Sequence, residues 1–85
     1  MNVVPAGCDL RLVADELREM MLKKERKAQE QGGHFCYSVE FVTRVETFLD
    51  NPSSEAALRL LLVAPKLRPF FAACSPGGAL YQLNR

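Results

Sequence analysis

The sequence predicts an all-α fold: a compact bundle of about four helices in a single domain spanning residues 1–85. Three observations predict it. Apolar residues recur at helical spacing in three separate stretches. Each stretch opens beside a residue able to cap a helix, and glycine or proline punctuates each end.

The first helix is predicted from Asp9 to Gln31. After a lead containing Pro5 and Gly7, Asp9 offers a carboxylate to the orphan N–H groups of the first turn. Leu10, Val13, Ala14, Leu17, Met20 and Met21 then form one apolar stripe, with Arg11, Asp15, Arg18 and Glu19 turned away from it. From Lys23 to Gln31 the residues are strong helix formers with almost nothing to bury, so this half is expected to project into solvent. Gly32 and Gly33 end it.

The stretch from Tyr37 to Leu49 supports two periods. With period two, Tyr37, Val39, Phe41, Val45 and Leu49 share a face, and the β-branched content suits a strand. With period 3.6, Phe41, Val42, Val45, Phe48 and Leu49 form one stripe and every polar residue falls outside it. The strand alternative exposes Val42 and Phe48 and has no partner strand elsewhere in the chain, so a helix from Ser38 to Asp50 is favoured, stopped by Asn51-Pro52.

Ser53 or Ser54 can cap the next helix, expected over Ser53 to Cys74 with a break at Pro65. Leu58, Leu61 and Leu62 are expected on its buried side, with Leu60 and Val63 widening the band. Leu67, Phe70 and Phe71 continue an apolar face beyond the break. Ser75-Pro76-Gly77-Gly78 is the strongest turn signal in the chain, and Ala79 to Leu83 can add a last helical turn that lays Leu80, Tyr81 or Leu83 on the core.

Composition narrows the function. The chain is 48% hydrophobic and 25% charged, ordinary globular usage that argues against intrinsic disorder. A formal net charge of +1 provides no field to gather nucleic acid or an acidic membrane. The longest apolar run, Leu60 to Ala64, is far short of the roughly 20 residues that span a bilayer, so no membrane insertion is expected. The first residues lack the charged and apolar regions of a signal peptide. Three widely spaced cysteines (Cys8, Cys36 and Cys74) without a close pair read as free thiols of a reducing, cytoplasmic setting. The C-terminus carries no terminal cue, which is consistent with a domain cut from a longer protein.

No cofactor, metal or catalytic residue is expected. His34 and Cys36 supply two metal-ligand types, but zinc sites bring ligands as close pairs on tight turns. As nucleophile and base they would need an orienting third group and an oxyanion site, and the chain has one histidine and no glycine-rich nest opening a helix. Cys74-Ser75-Pro76 matches the opening of the sulfatase signature Cys/Ser-x-Pro-x-Arg, yet Gly78 stands where arginine is required. The basic run Lys23-Lys24-Glu25-Arg26-Lys27 is broken by Glu19, Glu25 and Glu30 and has no interleaved aromatic for base stacking, so it reads as a solvated helix end and not a nucleic-acid site.

The segment from Ser38 to Leu83 resembles the harmonin-homology domain of scaffold proteins. The likeness lies in the apolar helix Val39-Glu40-Phe41-Val42-Thr43-Arg44-Val45, the short Asn51-Pro52 link, the leucine-rich helix closing on Leu67-Arg68-Pro69-Phe70, and the late Tyr81-Gln82-Leu83. The chain departs from it in having one long N-terminal helix where two are usual, and in Pro76 and two glycines where the last helix should begin. The resemblance implies a non-catalytic adaptor domain that holds a partner helix or short peptide in an apolar groove. That groove would draw on Phe41, Val45, Phe48, Leu62, Leu67 and Phe70. A second reading is a homodimer formed through the stripe on the first helix, although that stripe covers under two heptads.

Overall fold

A computed structural model describes residues 4–33 and 36–83. His34, named above as a candidate, lies outside the described residues, as does Phe35.

Helix α1 runs Leu10–Glu30, and the Asp9 carboxylate accepts from the Leu12 N–H at 3.1 Å as its N-cap. At its other end Gly32 takes φ +84, Gly32 N–H donates to Gln29 and Gly33 N–H to Ala28, the paired closure of a Schellman motif. Glycine is needed there because a Cβ would strain the left-handed conformation. Helix α2 (Val39–Asp50) starts under the Ser38 hydroxyl, which accepts from Phe41 N–H at 3.2 Å. Helix α3 (Ser54–Val63) is capped by Ser53 in the same way, with Ala56 N–H as donor. The expected break at Pro65 is a single 3-10 turn, Pro65–Leu67, followed by α4 (Arg68–Ala73) and the short α5 (Ala79–Leu83). Among the described residues there is no strand, so the period of 3.6 wins over Tyr37–Leu49.

Helices α2 and α3 make the most extensive helix contact, and α1 lies across α4 and one side of α2. The core between them consists of Val13, Ala14 and Leu17 from α1, Val45 and Phe48 from α2, Ala57, Leu60 and Leu61 from α3, and Phe71 and Cys74 at the far end. Phe48 and Phe71 meet as a tilted aromatic pair with centroids 5.9 Å apart. Outside the core, Arg44 crosses from α2 to donate to the Arg59 carbonyl of α3 at 2.7 Å.

The burial of α3 differs from expectation. Leu58 and Leu62 are exposed, while Ala56, Ala57, Leu60 and Leu61 are buried. The two alanines face inward because α3 packs closely and small side chains permit that approach. The leucines flanking them are left on the outer face. Leu12 also joins the α1 core, although the stripe predicted from spacing omitted it. Past Leu22, which is itself exposed, α1 carries mainly exposed residues, as its composition predicts.

The C-terminal turn is built on Ser75-Pro76-Gly77-Gly78. Gly78 N–H donates to the Ser75 carbonyl at 2.8 Å and Gly77 has φ +88, so Pro76 and Gly77 occupy the central positions of a type II turn. The buried Ser75 hydroxyl donates back to the Phe71 carbonyl at 2.6 Å, satisfying an acceptor left open at the end of α4.

Candidate functional site

A groove of about 470 Å³ opens where α1 leaves the body of the bundle. This volume falls in the range of about 300–1,000 Å³ typical of ligand clefts. One wall is Met20 and Lys24 of α1, and the opposite wall is the chain through Val63, Pro65 and Leu67 to Phe70. Cys36, Tyr37 and Ser38 approach from the segment before α2, and Phe41 of α2 completes the lining.

Local structure explains why this segment stands at the groove. Ser38 caps α2, so Tyr37 immediately precedes the first turn and its ring stacks on Phe41, with centroids 5.1 Å apart and planes 20° from parallel. Pro65 stops α3 and sends Lys66 and Leu67 through the 3-10 turn before α4 resumes. That short excursion separates α3 from α4 along one edge of the groove. The rings of Phe41 and Phe70 are half-buried, packed on the core while part of each surface stays open. Burial, and then the Glu25 carboxylate, push the Tyr37 phenol above its usual range, so it stays neutral at physiological pH.

The charge of the lining has one sign. Lys24 and Lys66 are exposed residues on opposite walls, and among the described lining residues there is no carboxylate. The groove therefore combines an apolar floor with two lysines at its rim, and the Glu25 carboxylate lies near enough to Tyr37 to act on its phenol.

The six residues assigned from sequence separate into three groups. Phe41, Leu67 and Phe70 come together in the groove, Leu67 as a nearly closed part of its floor. Val45 and Phe48 have 1% and 0% of their surface exposed and sit in the core, out of reach of anything docked on the surface. Leu62 is 63% exposed but lies on the other side of α3, in a second depression of about 420 Å³ with Thr43, Arg44, Thr47, Ala56 and Arg59. The polar groups of that depression are engaged within the protein. Thr43 and Thr47 hydroxyls donate to carbonyls one turn back, Arg44 pairs with Glu40, and Arg59 pairs with Glu55 at 2.7 Å. The six residues assigned from sequence did not include Met20, Lys24, Tyr37 or Lys66, which also line the groove. Tyr37 carried a signal, since an aromatic next to a helix cap commonly packs back on the first turn.

The other chemistry-bearing groups do not converge. Among the described residues no three His, Cys, Asp or Glu side chains meet in a way that could hold a metal ion, and no helix is long and apolar enough to cross a membrane. Cys36 is exposed, whereas Cys74 is fully buried. Burial, then the neighbouring Cys8, push the Cys74 thiol from near 9 up to about 11. The shift has a consequence for the reduced protein. Between those values the unfolded chain gives up a proton that the folded chain keeps, so stability is intact below about pH 9 and falls as pH rises toward 11. Chemical denaturation of wild type and Cys74→Ala across this range should show the wild type losing up to about 2 kcal/mol more than the variant.

No protein-family model, curated protein or solved structure matches this chain.

Proposed function

We propose that this chain is a protein-interaction domain that holds an amphipathic helix of a partner protein in the groove between α1, the Tyr37–Phe41 stack and the Val63–Phe70 edge. The observation that carries this reading is the open aromatic and aliphatic lining. Phe41 and Phe70 retain solvent contact although the core beside them is closed. Helix-in-groove recognition uses such surfaces, with apolar anchors at i, i+3, i+4 and i+7 entering the cleft. Lys24 and Lys66 on the walls select a partner with acidic residues flanking its apolar stripe. The resemblance to the harmonin-homology domain supports the same reading, because three of the residues it implicates, Phe41, Leu67 and Phe70, line this groove. On this reading the domain belongs to an intracellular scaffold or adaptor.

Self-association through α1 draws less support. Leu12, Val13, Ala14 and Leu17 of that helix are buried against the rest of the chain, leaving Leu22 as its exposed large apolar residue.

The test is fluorescence anisotropy with a labelled helical peptide carrying leucines at those four spacings and glutamates on its polar face. Wild type should bind it in a saturable way. Lys24→Glu with Lys66→Glu should weaken binding about tenfold, since each wall charge contributes up to about 1 kcal/mol and reversal adds repulsion. A lysine-faced version of the peptide should show the opposite order. Equal affinity of wild type and double variant for both peptides would remove the charge-selected groove.

A further inference from the structure

Cys8 and Cys74 are 66 positions apart in the chain but are brought to one place by the fold. The Asp9 N–H donates to the Cys74 carbonyl at 2.8 Å. By standard backbone dimensions, a bond of that length holds the Cα atoms of Cys8 and Cys74 within about 7.6 Å, and closer wherever the path between them bends. Disulfides form across Cα separations of about 4.4–6.8 Å.

One further contact aims the Cys8 side chain at the same helix end, and the residue before it lies close to the following turn. The Cys8 Sγ donates to the Phe71 carbonyl at 3.3 Å, and a Cβ placed on the preceding Gly7 would touch Pro76 at 3.1 Å. The N-terminal lead is thus laid along the last turn of α4 and the turn that follows it. Cys36 takes no part, being an exposed residue of the groove.

We propose that Cys8 and Cys74 are a reversible disulfide pair that staples the N-terminal lead to the end of α4. The oxidant is a low-molecular-weight disulfide. The Cys8 thiolate attacks one of its sulfurs, forming a mixed disulfide and releasing one small thiolate, which takes up a proton. The Cys74 thiolate then attacks the Cys8 sulfur, the protein disulfide forms, and the second small thiolate leaves. Two protein thiols are oxidised and one small disulfide is reduced to two thiols. Burial raises both protein thiols above their usual range, so exchange is slow in the folded state and quickens with pH. The pair is a structural latch, independent of the groove reading.

The experiment refolds the full chain carrying Cys36→Ser from guanidinium in a mixture of reduced and oxidised glutathione at about pH 8.5, so that burial of Cys74 does not limit access. Mass spectrometry should show the loss of two hydrogens and no glutathione, and a tryptic digest should join the peptide ending at Arg11 to the one containing Cys74. The oxidised monomer should melt about 10 °C or more above the same protein in reductant, because the staple closes a long loop. Cys8→Ser should melt alike in both buffers. Recovery of both cysteines as free thiols or separate glutathione adducts, a link only between chains, or a link without a rise in melting temperature would each overturn the proposal.

Discussion

Phe48→Ala should lower the unfolding free energy by about 3–5 kcal/mol, measured by urea denaturation followed by circular dichroism. Phe48 has no exposed surface, and its ring meets Phe71 in the tilted geometry that aromatic pairs favour. Truncation removes the ring from the point where α2, α3 and α4 converge and leaves a cavity that three helices would have to collapse to fill. At roughly 0.05–0.15 kcal/mol per residue, a chain this size holds only about 4–13 kcal/mol in all. The variant should therefore lose a large share of its stability and melt at a markedly lower temperature than wild type. Val39→Ala on the same helix is the control. Its side chain is 83% exposed, and its cost should stay within about 0.5 kcal/mol. Similar losses for the two variants would contradict the assignment of Phe48 to the core.

Gly78→Ala should cost about 2–3 kcal/mol and detach α5 from the bundle. The chain turns back under the end of α4 so closely that a Cβ at position 78 would press on the carbonyl oxygens of Ala72 and Ala73. Backbone is rigid there, so the turn itself must shift. Gly77 tests a different cost. Its φ of +88 disfavours any side chain, but a Cβ there would meet open space. Gly77→Ala should thus lose only the left-handed backbone penalty, about 1–2 kcal/mol. Thermal melts of the two variants should rank Gly78→Ala as the more damaging. The reverse order would mean that conformation, rather than space, dictates glycine at this turn.

Helix boundaries were legible in the sequence because local chemistry sets them. Asp9, Ser38 and Ser53 cap three helices, and Gly32, Asn51-Pro52 and Pro65 stop them. Which face each helix buries was less legible. In α3 nearly every position from Ala56 to Val63 is apolar, so periodicity carries little information and the close packing of two alanines decides the rotation. The family resemblance placed Val45 and Phe48 of α2 in a groove when they are core. Core and groove residues lie on one helical stripe, and only tertiary contacts tell them apart. Lys24, Tyr37 and Lys66 come from three separate elements, and their meeting is a property of the fold that no local pattern encodes. The nearness of Cys8 and Cys74 is hidden for the same reason.

The central claim is that the surface between Met20 and Phe70 receives a partner helix, and backbone NMR tests it most directly. Titrating the isotopically labelled domain with the acidic amphipathic peptide should move the amide signals of Met20, Lys24, Tyr37, Phe41, Lys66 and Phe70 together. Thr47 and Leu62, in the second depression, should stay in place. Shifts centred on Thr47 and Leu62, or no contiguous shifts at saturating peptide, would contradict the account.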